Sequence, residues 1–203
     1  MKILGIIGSP RKGSNTTILL EELLGAARQA GAETQTIAPA KMKLAPCIAC
    51  EGCYKTGRCI VKDDFQLVYD MILASDALVL ATPVYFGAVS AQVKPLIDRI
   101  QCFWAMRDVV RAPMPPAPAG APRKGILIAT CGMLRAEMLT GPRLTFRFMM
   151  RSLQGEFWAE LTRMGMDAPG HIRQDQAAME RARDLGRRLA CGEPAESGPI
   201  LSA

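Results

Sequence analysis

The residues Lys2-Ile-Leu-Gly-Ile-Ile7 are followed directly by Gly8-Ser-Pro-Arg-Lys-Gly-Ser-Asn-Thr16. The first run is short, apolar and bounded by a glycine turn, a pattern typical of a buried parallel strand. Residues 15–29 carry leucines at helical spacing and predict an amphipathic helix, with Ser14 or Asn15 as its N-cap. The segment therefore predicts a strand, a polar loop and a helix in close succession.

The same alternation continues along the chain. Apolar runs predict strands at 33–38, 76–81, 125–130 and 157–162, and periodic segments predict helices at 65–74, 90–104, 143–153 and 172–190. Strands that alternate with helices form a parallel sheet with helices on both faces, so the predicted fold class is α/β. We expect one domain at residues 1–190 and a flexible C-terminal tail, rich in Gly, Pro and Ser, at 191–203.

The loops that follow the first four predicted strands contain the residues with distinctive chemistry. In sheets of this kind, ligands bind beyond the carboxyl ends of the strands, where the strand order changes direction. These loops are residues 8–14, 41–62, 82–89 and 131–142. Because the carboxyl ends of parallel strands meet at one edge of the sheet, we expect all four loops to open on that edge.

Bulk composition argues against several classes of function. The net charge is +6, but the basic residues are scattered and aromatic residues make up only 5%, so no nucleic-acid partner is expected. No apolar run reaches about 18 residues, so no membrane span is expected. Without a secretory signal pattern, and with cysteines crowded in one loop, the chain is expected to be cytoplasmic. A single histidine, His171, and no G-x-S-x-G pattern argue against a Ser-His-Asp hydrolase.

The loop at residues 8–16 has the chemistry of a phosphate site. Hydroxyl and amide side chains and free backbone N–H groups meet the positive end of the predicted helix dipole. The loop has neither the G-x-x-x-x-G-K-[ST] pattern of nucleoside triphosphate sites nor the G-x-G-x-x-G pattern of dinucleotide sites. The alternative is an ordinary strand–helix turn with a cluster of capping residues. The candidate phosphate ligands are Ser9, Arg11, Ser14, Asn15 and Thr16.

Three motifs carry a family resemblance: Gly8-Ser-Pro-Arg11 with Ser14-Asn-Thr16, Thr82-Pro-Val-Tyr-Phe-Gly87, and Ser90-Ala91 with Lys94-Pro-Leu-Ile-Asp-Arg99. Together they resemble the flavodoxin-like NADPH-dependent FMN reductases. The resemblance implies a five-stranded parallel sheet in the order 2-1-3-4-5, with the FMN phosphate bound by the first loop. It also implies that the isoalloxazine ring lies against two further loops, at Pro83, Val84, Tyr85, Phe86, Gly87, Cys131 and Gly132.

The aromatic pair in the second of these motifs has two interpretations. Tyr85 and Phe86 offer aromatic faces for a flavin ring, while the loop backbone can bond a polar ring edge. The alternative is that both side chains fill the core below the strand ends. Sequence alone leaves both interpretations open.

A compact cysteine loop follows the second predicted strand. Its pattern is C-x2-C-x2-C-x5-C, formed by Cys47, Cys50, Cys53 and Cys59. Four thiolates so close in sequence can converge on one soft metal centre and are enough for a [4Fe–4S] cluster. Structural zinc sites usually have two cysteine pairs separated by a longer stretch, so the consecutive short steps favour iron–sulfur ligation. Zinc, free thiols and a redox disulfide stay open as alternatives.

This loop, which ends in Cys59-Ile-Val-Lys-Asp-Asp64, resembles that of the iron–sulfur flavoproteins within the same superfamily. The resemblance implies a [4Fe–4S] cluster near the flavin, with electrons passing between the two groups. It is well marked over residues 1–100 and rests on the α/β pattern alone from 101 to 203. From the residues themselves, Lys62, Asp63 and Asp64 are expected to form a turn and a helix cap.

Three functions follow from these patterns. The first is an FMN-binding iron–sulfur oxidoreductase, with a ferredoxin or NAD(P)H as donor and a quinone, an oxygen species or a redox protein as acceptor. The second is a cluster-free NAD(P)H-dependent FMN or quinone reductase, and the third is a non-enzymatic flavin electron carrier. Electron transfer needs no acid or base side chain, so no catalytic residue is assigned. The resemblance also implies a homo-oligomer, a dimer or a tetramer, with the flavin at a subunit interface.

Overall fold

The computed structural model describes residues 1–194 of the chain. Its centre is a sheet of five parallel strands in the order β2-β1-β3-β4-β5, which confirms the predicted fold class and strand order. The strands are β1 (Lys2–Ile7), β2 (Glu33–Ile37), β3 (Ala77–Pro83), β4 (Lys124–Thr130) and β5 (Glu156–Arg163). The strand order changes direction between β1 and β3, so the crevice at their carboxyl ends is the expected ligand position.

Helices cover both faces of this sheet. Within residues 1–194 they are α1 (Asn15–Gln29), α2 (Phe65–Leu73), α3 (Lys94–Arg99), α4 (Gln101–Asp108), α5 (Thr140–Ser152) and α6 (Gln176–Ala190). Helices α1 and α6 contribute to the core on one face, and α2 to α5 contribute to the core on the other. The molecule is therefore a three-layer α/β/α arrangement.

The central strand β3 shows why the core has two sides. Leu78 and Leu80 belong to the core beneath α2 to α5, whereas Val79 and Ala81 belong to the core beneath α1 and α6. Successive side chains of a strand point to opposite faces, so a strand that is buried on both sides has a continuous apolar sequence. Full burial of each large aliphatic side chain stabilises the fold by about 1.5–3 kcal/mol. The sheet thereby supports the polar loops at its carboxyl edge.

The prediction of a single helix at residues 90–104 is wrong. The structure has two helices there, α3 and α4, which meet at Ile100. Proline is tolerated only in the first turn of a helix, since it lacks an N–H and its ring clashes with the preceding turn. Pro95 lies in the first turn of α3, consistent with a start at Lys94. Ser90 therefore lies in the preceding loop, where its buried hydroxyl donates to the Gly8 carbonyl (2.5 Å).

The last helix begins later than expected, at Gln176 rather than at 172. Helix α6 begins at Gln176 because Asp175 accepts a hydrogen bond from Ala178 N (2.9 Å) and caps the helix there. Residues 191–194 then fold back against β5, where the Glu193 carbonyl accepts from Trp158 Nε1 (3.0 Å). The rest of the expected tail, 195–203, lies outside the described residues. None of the helices described is long and apolar enough to cross a membrane.

Substituting alanine for two glycines tests how closely α1 and α6 pack. Gly186 lies in α6, and a methyl group there would overlap the Leu23 carbonyl oxygen of α1. Gly25 lies in α1, where a methyl group would approach only the Arg28 side chain (3.9 Å). Alanine is favoured over glycine within a helix by about 1 kcal/mol. We therefore expect Gly25→Ala to raise the urea midpoint of unfolding and Gly186→Ala to lower it, as measured by circular dichroism. Equal shifts in the two variants would contradict the close contact.

Candidate functional site

The loop after β1 is held against β3 by its backbone. Gly8 N donates to the Ala81 carbonyl (2.7 Å), and a Cβ at Gly8 would lie only 2.8 Å from that oxygen. Glycine is therefore the residue that lets the two strands approach so closely at their carboxyl ends. The Ser14 hydroxyl accepts from Thr17 N (3.2 Å), so Ser14 is the N-cap of α1. This geometry places the N-terminus of α1 at the crevice between β1 and β3.

A cavity of about 510 Å³ opens at this crevice, a volume typical of sites for small molecules and cofactors. We call it the first cavity. Every residue predicted to bind the flavin lines it except Gly87, and these lining residues are Ser9, Arg11, Ser14, Asn15, Thr16, Pro83, Val84, Tyr85, Phe86, Cys131 and Gly132. Gly87 instead turns the backbone next to the cavity, with a φ of 70°. The structure thus brings the three predicted loops together.

A further wall of the first cavity comes from the residues after β5. The lining residues of this wall are Met166, Asp167 and Pro169. The Asn15 amide donates to the carbonyls of Met166 (3.1 Å) and Ala168 (3.0 Å), and its oxygen accepts from Ile172 N (3.1 Å). Asn15 therefore ties the loop after β1 to the loop after β5. Sequence reasoning missed this wall, although the rule that ligands bind beyond strand ends applies to β5 as well.

Arg11 makes a second link between the same two loops. Its Nη1 donates to the Asp167 carbonyl (3.0 Å), and the side chain lies on the surface at the rim of the first cavity. Ser9, Ser14 and Thr16, by contrast, are buried at the start of α1. The cavity thus combines buried hydroxyl groups at a helix N-terminus with an accessible cation, which is the chemistry of an anion site.

Tyr85 and Phe86 lie at the mouth of the first cavity. Phe86 is fully exposed and has a φ of 51°, while Tyr85 is 44% exposed. A non-glycine residue in the left-handed region costs on the order of 1 kcal/mol, so the loop is held in a strained conformation. The interpretation in which both rings fill the core is wrong, because neither ring is buried. The loop instead presents two aromatic rings at the cavity opening.

The loop after β4 contributes a buried thiol to the first cavity. Cys131 Sγ donates to the Met133 carbonyl (3.3 Å). Burial raises the pKa of this thiol, and the Asp167 carboxylate raises it further, so the thiol is protonated at neutral pH. Gly132 lies beside Asp167, whose carboxylate occupies the space that a Cβ at Gly132 would need. Cys131 therefore lines the cavity as a neutral thiol.

A second cavity, of about 430 Å³, lies between the cysteine loop and the start of α4. We call it the cysteine cavity. It is lined by Cys47, Cys50, Cys53 and Cys59 and also by the buried Cys102. Cys47 and Cys50 are exposed, whereas Cys53 and Cys59 are half-buried. The structure therefore places all four predicted ligands around one space, and Cys102 adds a fifth thiol that the spacing of the motif did not reveal.

Two aspartates close the cysteine loop at its base. Asp64 Oδ2 accepts from Lys43 N (2.7 Å), and Asp63 Oδ2 accepts from Ala45 N (2.8 Å). Within the described residues the Asp64 side chain makes no capping bond to α2, so its expected role as a helix cap is wrong. Asp63 does accept from Phe65 N (3.0 Å) at the start of the helix. Both carboxylates thus tie the segment before the cysteines to the segment after them.

Arg99 is buried beneath this loop. Its guanidinium pairs with Asp63 (2.5 Å) and donates to the carbonyls of Ala45 (3.3 Å) and Val61 (3.0 Å). Burial alone would raise the pKa of the Asp63 carboxyl, but the hydrogen bonds from Arg99 and from the backbone outweigh it and lower this pKa. The two groups therefore form an ion pair at neutral pH, and this pair holds both ends of the cysteine loop.

The residues of the cysteine cavity fit an anionic, sulfur-containing group. Four thiols in one short loop are the donor set of iron–sulfur sites. Ala49 and Glu51, between the cysteines, have φ values of 51° and 56°, a strained backbone that needs compensating contacts. Arg99 Nε is a buried donor that makes no hydrogen bond of ordinary geometry within residues 1–194. In the same residues, no three His, Cys, Asp or Glu side chains are arranged as ligands of a single metal ion.

The two cavities are built by different parts of the chain. The first cavity lies at the ends of β1, β3, β4 and β5, whereas the cysteine cavity lies under the loop after β2. Across residues 1–194 they have no lining residue in common. A group bound in one cavity would therefore be held independently of a group in the other.

The sheet is flavodoxin-like, and where its strand order changes direction it carries a cavity with hydroxyl groups, a cation and two exposed aromatic rings. These features are typical of flavin-binding oxidoreductases. The model of the NADPH-dependent FMN reductase family matches residues 1–139. An iron–sulfur flavoprotein of Methanocaldococcus jannaschii is 33% identical over 198 residues, which are 94% of this chain and 96% of that protein. The iron–sulfur flavoprotein of Methanosarcina thermophila is 41% identical over 99 residues, 49% of this chain and 52% of that protein.

Among solved structures, the NAD(P)H:quinone oxidoreductase from Methanothermobacter marburgensis has the same fold. It superposes with a TM-score of 0.63 at 16% identity, over 93% of this chain and 98% of that one. The chain belongs to the NADPH-dependent FMN reductase family, with iron–sulfur flavoproteins among its full-length relatives. It is a flavin-dependent oxidoreductase. The alignment with the M. jannaschii protein extends the similarity well beyond residues 1–100, where the motifs lie.

Substitution of Asn15 tests its link to the wall after β5. Asn15→Ala leaves the Met166 carbonyl and the Ile172 N–H without their partner, whereas the Ala168 carbonyl still accepts from His171 N (3.3 Å). A buried polar group left unpaired costs about 1–3 kcal/mol. We expect faster amide hydrogen exchange across this segment, measured by mass spectrometry. Ser14→Ala is the matched control, because it removes the neighbouring helix cap but no contact with that segment. Equal exchange in the two variants would show that the link is unimportant.

Proposed function

We propose that this chain is an iron–sulfur flavoprotein oxidoreductase, with FMN in the first cavity and a [4Fe–4S] cluster in the cysteine cavity. The observation that carries the proposal is the presence, on one flavodoxin-like chain, of an anion site at a helix N-terminus and a separate cavity lined by four cysteines. FMN would exchange two electrons with one reactant, and the cluster would pass single electrons to another. The names of the relatives support this pairing.

The walls of the first cavity support phosphate binding at the start of α1. Ser9, Ser14 and Thr16 place buried hydroxyl groups where backbone N–H groups and the helix dipole attract an anion. Arg11 adds positive charge at the rim. We assign Asn15 to positioning rather than to phosphate contact, because its amide is engaged with the loop after β5. The phosphate site would thus be built from hydroxyl groups, backbone N–H groups and one guanidinium.

The remaining walls suit a flavin ring. Tyr85 and Phe86 offer aromatic faces at the cavity mouth, and Val84 supplies apolar surface beside them. The neutral Cys131 thiol would contact the group without acting as a nucleophile. The redox chemistry belongs to the bound flavin, so the work of the chain is to hold it, orient it and leave one side open to a reactant.

The arrangement of the thiols favours a cluster over zinc. A structural zinc ion needs its sulfur ligands around one point, at Zn–S distances of about 2.3 Å. The four cysteines here follow one another at the short spacing C-x2-C-x2-C-x5-C and line one cavity of about 430 Å³. A [4Fe–4S] cluster binds each thiolate to a different iron, so it needs more space than a single ion. The spacing and the size of the cavity therefore favour the cluster.

A cluster-free NAD(P)H-dependent FMN or quinone reductase is the second candidate. The match to the NADPH-dependent FMN reductase family over residues 1–139 supports it, because the first cavity alone would serve that function. A non-enzymatic flavin electron carrier would use the same first cavity. The three functions differ in iron content and in whether reduced nicotinamide is oxidised.

The assembly and the partners also belong to the proposal. A homo-oligomer is supported by exposed apolar residues at the mouth of the first cavity and on α5, namely Phe86, Met133, Leu134, Leu144 and Phe148. Because the two cavities are separate, an assembly in which the cluster of one chain approaches the flavin of another would connect them. A ferredoxin or reduced nicotinamide is the proposed donor, and a small molecule or redox protein is the proposed acceptor. A cytoplasmic location stays a prediction.

Flavin, iron and sulfide assays separate the candidate functions. Protein purified without oxygen should contain about one FMN, four iron and four sulfide per chain. Serine in place of Cys47, Cys50, Cys53 or Cys59 should lower the iron content and leave FMN bound. Cys191→Ser is the matched control, because this exposed thiol lines neither cavity. Flavin without iron, even after anaerobic reconstitution, would select the cluster-free reductase, and the absence of both groups would overturn the proposal.

Arg11 and its neighbour Lys12 test the phosphate site. Arg11 lines the first cavity, whereas Lys12 does not. Arg11→Ala should weaken FMN binding about tenfold, since a charge-assisted contact at an accessible site contributes roughly 1.4 kcal/mol. Riboflavin, which lacks the phosphate, should bind equally well to both proteins in a fluorescence titration. Lys12→Ala should leave both affinities unchanged. A matching loss for riboflavin would place Arg11 away from the phosphate.

A further inference from the structure

We propose that Arg99 is a positioning residue for the cluster, which donates its Nε–H to a sulfur of the group bound in the cysteine cavity. The inference rests on the proposed iron–sulfur function. Arg99 is the last residue of α3, and its side chain is 0% exposed. It lines the cavity together with the four cysteines of the loop. Its guanidinium also interacts with the Cys59 thiol, one of the four candidate ligands, so it lies close to the group that those thiols would bind.

Both Nη nitrogens of Arg99 already make hydrogen bonds. Nη1 donates to Asp63 (2.5 Å) and to the Ala45 carbonyl (3.3 Å), and Nη2 donates to the Val61 carbonyl (3.0 Å). The guanidinium carbon Cζ lies over the Phe65 ring, 4.3 Å from its centroid. These contacts fix the orientation of the side chain. The direction of Nε–H is therefore set before any group binds, which is the preorganisation that a second layer of contacts supplies at metal sites.

Nε is the nitrogen of Arg99 that has no hydrogen-bond partner in this network. It is buried and makes no hydrogen bond of ordinary geometry within residues 1–194, although the guanidinium interacts with the nearby Cys59 thiol. A buried donor without a partner costs about 1–3 kcal/mol, so such groups are rare unless water or a ligand completes them. The cysteine cavity that Arg99 lines is the space where an acceptor can enter. Thiolate and sulfide sulfurs are anionic acceptors, and hydrogen bonds to these sulfurs raise the reduction potential of a cluster.

Arg123 shows that an unused Nε is not general for buried arginines of this chain. Arg123 is also buried, but its Nε donates to the Ile72 carbonyl (3.3 Å) and its Nη2 to the Leu73 carbonyl (3.0 Å). It lines neither the first cavity nor the cysteine cavity. Arg123 is therefore the matched control for the loss of a buried guanidinium.

The test compares Arg99→Lys with Arg123→Lys in protein purified without oxygen. Both substitutions keep the positive charge and remove the planar fork of donors, so both should lower the melting temperature. Arg99→Lys alone should lower the midpoint potential of the cluster in an EPR-monitored titration, because a hydrogen bond to sulfur is lost. It should also weaken retention of iron against a chelator by about 10- to 100-fold, the usual effect of losing an outer-layer partner.

Each outcome has a definite meaning. A wild-type potential in Arg99→Lys, or an equal shift in Arg123→Lys, would overturn the role of Arg99 while leaving the cluster in place. Wild-type protein without iron after reconstitution would overturn the cluster itself and this role with it. If Arg99→Lys does not fold, the double variant Arg99→Met with Asp63→Asn is used instead. It removes both buried charges together, so neither is left unpaired, and the side-chain oxygen at position 63 can still accept from Ala45 N. The lowered potential is expected there too, and an unchanged potential would overturn the role.

Discussion

The contact between Gly8 and Ala81 is the constraint on which the first cavity depends. It joins the ends of β1 and β3 at the point where the strand order changes direction, and it leaves no room for a side chain at Gly8. Ser90 reinforces the junction, since its hydroxyl donates to the Gly8 carbonyl and its N–H donates to Thr82 (3.1 Å). The loops after β1 and β3 are therefore held side by side by the sheet itself, and the N-terminus of α1 faces the space between them.

The cysteine loop depends on a different interaction, the buried pair of Arg99 and Asp63. The loop has little regular structure of its own, and two of its non-glycine residues have positive φ. Its shape is set where it begins and ends, because the ion pair and the Asp64 carboxylate bind the backbone on both sides of the cysteines. Removing one member of a buried pair leaves an uncompensated charge, so the base of the loop depends on both members.

Separate construction of the two cavities has a functional consequence. The sheet and the helix N-terminus build one cavity, and an irregular loop builds the other, so in the proposed function each bound group could be tuned without altering the other. A flavin needs an accessible face, and the first cavity opens between exposed aromatic rings. A cluster needs anionic ligands and nearby donors, and the cysteine cavity combines four thiols with a buried guanidinium. An oligomer in which the two openings meet would complete the path for electrons.

Local patterns were sufficient to predict the α/β class, the loops that line the first cavity, the N-cap region and the four cysteines that line the cysteine cavity, because each depends on residues close in sequence. The sheet order followed from the family resemblance. Other features depended on residues far apart in the chain. Asn15 meets the loop at 166–172 and Arg99 meets Asp63 only because the parallel sheet brings their loops to one side. No spacing rule records such pairs, so tertiary structure alone decided which polar groups are already engaged and that Arg99 Nε, among the buried donors described, makes no hydrogen bond of ordinary geometry.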